Sequence, residues 1–311
     1  MPTKYINLLT DFGFKRIFAD ESNKDLLMDF LNSIMYFQGI QILDISYKNT
    51  EFVGEYEEDK KIILDLYCIS EKGEHFIIEV QRAKQIYFQK RLLFYASRLI
   101  QEQGIKDKTW NYNFKGVYSI AILDFEMTQN ENILNRYRIL NEDTYTPLIE
   151  DFGIILIDLR KFDKEEHELT SNFEKWLYLL KNLDKLNHIP LQLRQHLFVK
   201  LFDLAKYRAL DKEQQKTYME SLKKYNDWQN FLDYAHKEGY EEAVLEFKEV
   251  ISNIESLLTQ EKKRAEEKEK LLEEEHKKLL ETAQFLKSLN VDIELIMKKT
   301  GLTREEIEKL P

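Results

Sequence analysis

The sequence is poor in the residues that mark several protein classes. It holds one cysteine, Cys68, in 311 residues, which excludes a disulfide framework and a cysteine zinc site and points to a reducing compartment. Nine glycines and four prolines are too few for a low-complexity or collagen-like chain. No apolar run approaches the roughly 20 residues of a membrane span, and Met1-Pro2-Thr3-Lys4 lacks the basic-then-apolar plan of a signal peptide. A soluble, cytoplasmic protein with no membrane contact is expected. A positive excess is missing too. Residues 1–160 carry 19 basic and 25 acidic side chains, and residues 161–311 carry 27 and 31. Neither half has the cationic bias that phosphate binding usually leaves, so a nucleic-acid role must rest on local chemistry. The six histidines (His75, His167, His188, His196, His236 and His276) show no ligand spacing, which argues against zinc. Walker A, dinucleotide-binding and G-x-S-x-G patterns are absent.

What is present is material for a core: 43% of residues are hydrophobic and 13% aromatic, enough for two domains at this length. Residues 11–37 have helical periodicity, with Asp11 where an N-cap would sit and a break near Gly39. Residues 40–48 alternate as a strand, and an acidic loop follows at Glu55-Tyr56-Glu57-Glu58-Asp59. Two β-branched and aromatic runs, 62–69 and 75–81, flank Ser70-Glu71-Lys72-Gly73-Glu74 and predict a hairpin. A helix is expected over 83–103, and buried strands over 117–125 and 153–159. This order describes a compact α/β domain over residues 1–160.

The remainder reads as all-α: a helical domain over 161–238, a coiled-coil and charged helix over 239–281, and a tail over 282–311. Val244, Ile251, Leu258, Ala265, Leu272 and Leu279 recur every seven residues, with Phe247 and Ile254 at the second heptad position before Glu261, Lys268 and Glu275. The seam starts well and fades into a solvated helix, since residues 261–281 hold eight acidic and seven basic side chains. The tail has a helix-turn-helix pattern with a capping box at Thr303 and Glu306. Its last helix carries three glutamates against two cations, so packing or a protein contact is favoured over DNA reading. The apolar seam over 240–260 predicts self-association as a homodimer, or else burial against the helices at 173–206.

The hairpin holds the residues most suggestive of chemistry. With the turn centred on Lys72, Asp65 falls opposite Glu79, and alternation places Gln81 on the same face about 7 Å further along. Two carboxylates on adjacent apolar strands repel, and burying either costs several kcal/mol, of order, unless a cation sits between them. A hard divalent ion such as Mg²⁺ removes the conflict. The alternative is that this face is exposed and the pair keeps a sheet edge soluble.

Asp65, a turn, then Glu79-x-Gln81 resembles the D…(D/E)-x-K signature of the restriction-endonuclease-like superfamily, and more closely the PD-(D/E)XK nuclease family transposases, or Rpn-type recombination-promoting nucleases. Further residues that carry the resemblance are Thr10-Asp11-Phe12-Gly13-Phe14-Lys15, Asn49-Thr50-Glu51, Asp65-Leu66-Tyr67-Cys68, Lys84-Gln85, Phe88, Arg91, Tyr95 and Ile120-Ala121-Ile122-Leu123-Asp124-Phe125. The resemblance implies a restriction-endonuclease-like N-terminal domain and a metal-dependent DNA endonuclease. Asp65 and Glu79 would bind Mg²⁺, or Mn²⁺ in its place, with the Val80 carbonyl as a third ligand. The superfamily usually has Lys where Gln81 stands, and an amide orients water without supplying charge. A catalytically weak domain that serves as an assembly module through its helical half is the alternative.

Other candidates lie nearby. Phe88, Arg91, Tyr95 and Arg98 share one helical face, and Arg91 could reach a phosphate or pack over the sheet beside a carboxylate. Lys15 could approach the phosphate or simply pair with Asp11. Glu51 is an additional metal-ligand candidate, with a solvated loop carboxylate as the commoner reading. The tyrosines and phenylalanines read as core composition, because no basic run interleaves with them.

Overall fold

Thr10, rather than Asp11, caps the first helix. In the computed structural model, which describes residues 3–52, 62–104 and 111–311, α1 runs Asp11–Phe18 and the Thr10 hydroxyl accepts the Gly13 N–H at 3.0 Å. Asp11 takes a first-turn position, where its charge suits the helix dipole. Position 13 must be glycine, since a Cβ there would lie 2.0 Å from the Asn7 carbonyl oxygen. The helical pattern expected over 11–37 is interrupted at Asp20, whose carboxylate accepts the Ser22 N–H and opens a short 3-10 turn. Helix α2 then runs Lys24–Met35.

The strands follow. β1 is Ile45–Tyr47, shorter than expected, and β2, Glu51–Phe52, pairs antiparallel with β3, Ile62–Ile63. The acidic segment at 55–59 lies outside the described residues. β4, Leu66–Ser70, and β5, His75–Gln81, form the expected hairpin. Gly73 supplies the turn's left-handed residue at φ 89°. After α3, Phe88–Glu102, come β6, Val117–Leu123, β7, Leu134–Tyr137, and β8, Phe152–Asp158. The sheet order is β1-β4-β5-β6-β8-β7; β5, β6 and β8 are parallel to one another, and β1, β4 and β7 pair antiparallel with their neighbours. Every residue of β6 is buried, as a central strand covered on both faces requires. Strand β7 has no sequence signal: Leu134-Asn135-Arg136-Tyr137 is short and polar, and pairing with β8 defines it.

Helices α1 and α2 cover one face of the sheet with α4, Asn172–Asn182, and α5, His196–Leu204; α3 covers the other. Trp176 of α4 packs tilted or edge-on among Phe18, Phe30 and Phe198, with ring centroids 5.2–5.6 Å apart, and its indole N–H donates to Asp29 at 3.0 Å. The residues past 160 therefore complete the core of the α/β part instead of building a separate one. The first compact unit runs Met1–Leu232, beyond the expected boundary at 160, because the layer of α1 and α2 needs α4 and α5 to bury its outer side. It is a restriction-endonuclease-like α/β sheet structure followed by a helical region.

Helix α6 runs Lys212–Ser288. The second unit, Asp233–Pro311, holds its later part together with α7, Ile293–Thr300, and α8, Arg304–Glu308. Ala283, Ile296, Leu302 and Ile307 form its small core, and Thr303 and Glu306 make the expected capping box. Along the heptad seam, Phe247 is 70% exposed and Ile251, Ile254 and Leu258 are also exposed. Among the described residues no helix is long and apolar enough to cross a membrane.

Candidate active site

The register Leu66↔Ile78, continued by one residue, brings Asp65 opposite Glu79, as the turn centre at Lys72 required. The expected continuous strand over 62–69 is broken there: β3 ends at Ile63, β4 begins at Leu66, and the Leu64 N–H donates to the Thr50 carbonyl. In the break, side chains replace the backbone ladder. The Asp65 N–H donates to Glu79 Oε1 at 3.2 Å, and the Val80 N–H donates to Asp65 Oδ2 at 2.8 Å. Each carboxylate is thus held by the backbone of the other's strand, which fixes both rotamers.

Glu79 is only 6% exposed and Asp65 is partly buried, so the pair does not decorate a soluble sheet edge. Burial, then the charge of Asp65, pushes the Glu79 carboxyl up to about 8. Asp65 is also raised, chiefly by burial and further by Asp11, against the Val80 N–H and the charges of Lys15 and Arg82. Two neighbouring carboxyls both raised by burial oppose double ionisation. Among the described residues no group of three or more His, Cys, Asp or Glu side chains has a metal-holding arrangement. Two carboxylates in close apposition nevertheless fit a hard divalent cation, because Mg²⁺ takes oxygen donors and keeps several waters. Val80 enters the site through its N–H.

Gln81 lies on the same face, and its amide is fully engaged. Its Nε2 donates to the Ala83 carbonyl at 3.0 Å, and its Oε1 accepts from Arg91 Nη2 at 2.7 Å. Arg91 Nη1 donates to Gln85 Oε1 at 2.6 Å, and the guanidinium lies 5.1 Å from the Phe88 ring and 6.0 Å from the Tyr95 ring. Arg91 therefore packs over the sheet end, and among the described residues its hydrogen-bond partners are neutral amides rather than a carboxylate. That charge favours ionisation of Glu79. Arg98, expected on the same face, pairs instead with Glu102 at 3.4 Å.

Lys15 makes the bland contact, an ion pair with Asp11 at 2.9 Å, yet its charge favours ionisation of both Asp65 and Glu79. Glu51 begins β2, exposed, and does not line the cleft. An open cleft of about 400 Å³ reaches Asp65 and Val80, with Asp11 and Gln81 at its sides. Three of its lining residues escaped the sequence reading: Arg82, Lys224 and Trp228. The Arg82 Nε donates to the Leu9 carbonyl at 2.8 Å, and its guanidinium lies 5.6 Å from the Tyr225 ring. Its place directly after Gln81 was the available signal; Lys224 and Trp228 come from α6 and had none.

The end of β6 ties α6 to this wall. Buried Asp124 donates its backbone N–H to the Gln81 carbonyl at 2.9 Å. Its carboxylate accepts from Arg160 Nε at 2.7 Å, the Tyr225 hydroxyl at 2.8 Å and Gln229 Nε2 at 3.2 Å. One aspartate thereby joins the strand bearing Glu79 to the helix bearing Trp228.

No curated protein and no solved structure gives a significant match to the chain. Residues 8–235, more than half of the chain, match the family model described as PD-(D/E)XK nuclease family transposase.

Proposed function

This chain belongs to the PD-(D/E)XK nuclease family transposases, and from that membership we propose that it is a Mg²⁺-dependent DNA endonuclease serving recombination or mobile-element function in the cytoplasm. The observation that carries the reading is the interlocked, buried Asp65–Glu79 pair, a costly arrangement without a cation to bind. Asp65, Glu79 and the Val80 carbonyl would hold Mg²⁺, with Mn²⁺ able to substitute. Bound there, the cation supplies polarisation of the scissile phosphate and a water of lowered pKa.

The chain's own residues do the rest. Arg91, held by Gln81 and Gln85, supplies a positive charge that favours ionised Glu79 and can replace part of the role of the superfamily's usual lysine, so Gln81 acts as its positioning residue. Lys15, paired with Asp11, adds charge that favours the ionised form of both carboxyls. Plasmid cleavage with Mg²⁺ and Mn²⁺ tests the reading: wild type should cut and Asp65→Ala should not, with its fold intact by circular dichroism. A folded Asp65→Ala that cuts like wild type would refute it.

A homodimer through residues 240–260 fits the same function, since each chain offers one carboxylate pair and a duplex has two strands. The exposed seam at Phe247, Ile251, Ile254 and Leu258 supports it. The same seam favours the second reading, an assembly module with weak catalysis. Calorimetric titration with Mg²⁺ separates the two, because a module of that kind has no use for a cation site.

A further inference from the structure

Helix α3 carries more apolar surface than its packing uses. Phe88, Leu92, Ala96 and Leu99 bury one face against the sheet. Tyr87, at the helix start, is 69% exposed, Phe94 is 53% exposed, and Ile86 beside them is 93% exposed. Tyr87, Lys90 or Arg91, and Phe94 follow at spacings of three and four, so this outward face interleaves rings with cations. Together with Lys84 and Tyr95 they line an open groove of about 760 Å³. Among the described residues no acidic side chain lines it. The Lys90 ammonium stands 5.6 Å from the Tyr87 ring centre, and neither Lys84 nor Lys90 is ion-paired among the described residues. The expectation that the aromatics serve only as core composition therefore fails on this helix: folding brings rings and cations together that no basic run in the sequence announces.

The groove adjoins the carboxylate site. Gln85 lines both the groove and the cleft that reaches Asp65, and Arg91 borders the groove while donating to Gln81. On a chain of net charge -10, a groove whose described lining carries Lys84, Lys90 and Arg91 selects an anionic ligand. Exposed ring faces select one with flat π-surfaces. An unpaired polynucleotide strand has both; a duplex buries its base faces in its own stack and offers only edges and phosphates.

We propose that this α3 groove is a stacking platform for unpaired bases beside the cleavage site, so that single-stranded or locally melted DNA is the preferred substrate. The proposal rests on the nuclease reading for its location and deepens it by naming the strand state. Fluorescence anisotropy of a labelled oligothymidylate and of a duplex of equal length, in EDTA so that nothing is cut, provides the test. The single strand should bind the full chain more tightly than the duplex. Tyr87→Ala and Phe94→Ala should each weaken single-strand binding about tenfold, within the range found for base–aromatic stacking, while Tyr87→Phe retains it and duplex binding is unchanged.

Equal affinity for the two forms, or folded alanine variants that bind the single strand like wild type, would overturn the platform. Loss of plasmid cleavage in Asp65→Ala would survive that result, so the nuclease reading and the platform fail separately. Ring-dependent single-strand binding by a protein that cuts nothing would uphold the platform and remove the nuclease reading.

Discussion

Replacing Glu79 with glutamine should stabilise the metal-free protein at alkaline pH. The amide keeps an oxygen to accept the Asp65 N–H that Glu79 Oε1 now accepts at 3.2 Å, and it removes the buried charge. The wild-type carboxyl is pushed up to about 8, by burial first and by Asp65 second. A folded-state pKa raised above the ordinary carboxylate value means that the native state holds a proton the unfolded chain has lost. Stability is therefore greatest below the unfolded value and falls as pH rises toward about 8, where the native carboxyl ionises. Asp65, also raised, adds a slope of the same sign. A displacement of this kind is worth several kcal/mol, of order, and realising about 2 kcal/mol of it corresponds to roughly 4–8 °C in Tm for a unit of this size. Thermal melts in EDTA from pH 5 to 9 measure it. Glu79→Gln should melt several degrees above wild type at pH 9 and converge with it near pH 5. Mg²⁺ should raise the wild-type Tm at pH 8 and leave the variant nearly unmoved. Parallel pH profiles for the two proteins would refute both the burial argument and the cation site built on it.

Arg91→Ala should lower the cleavage rate about a hundredfold, the scale of losing one preorganised charge at a transition state, and Gln81→Lys in that background should recover part of the loss in single-turnover assays. Gln81→Lys alone sets a second cation where Arg91 now donates at 2.7 Å and should lower Tm without abolishing cutting; a variant as inactive as Asp65→Ala would mean that Gln81 makes a contact lysine cannot. Light scattering should give a dimer for the full chain and a monomer for Ile251→Glu and Ile254→Glu, whose native side chains are exposed on the seam; a wild-type monomer at about 10–100 μM, the range in which weak pairs form, would end the dimer proposal.

The carboxylate pair was legible because hairpin geometry is arithmetic. Once the turn is centred on Lys72, register follows from counting, and Leu66↔Ile78 confirms the centre. The strand break at Leu64 and Asp65 was not legible, since the run from Ile62 reads as continuous until the side-chain bonds to Glu79 and Val80 displace the ladder. Asp11 was a reasonable cap, yet Thr10 takes the role because its hydroxyl reaches the Gly13 N–H. The periodicity of the core helices α4 and α5 reveals an apolar face but not its target, so the sequence alone sets them apart from the sheet domain; Trp176 finds Phe18 and Phe30 across the chain. Lys224 and Trp228 illustrate the same limit at the cleft. No local pattern reports a contact made by residues so distant in sequence.

The Asp124 hub has a consequence for what can be cut away. A nuclease domain trimmed at the end of β8 would keep Asp65, Glu79 and Gln81 and so pass any motif inspection. It would also strip Arg160, Tyr225 and Gln229 from a buried carboxylate. A buried carboxylate deprived of its donors must find water in their place, and this one hangs on the same peptide that fixes the carbonyl of Gln81. The smallest portable enzyme is therefore set by a keystone far downstream of the signature, and a chain that stops short of Gln229 would inherit the motif without the vault that keeps it in shape.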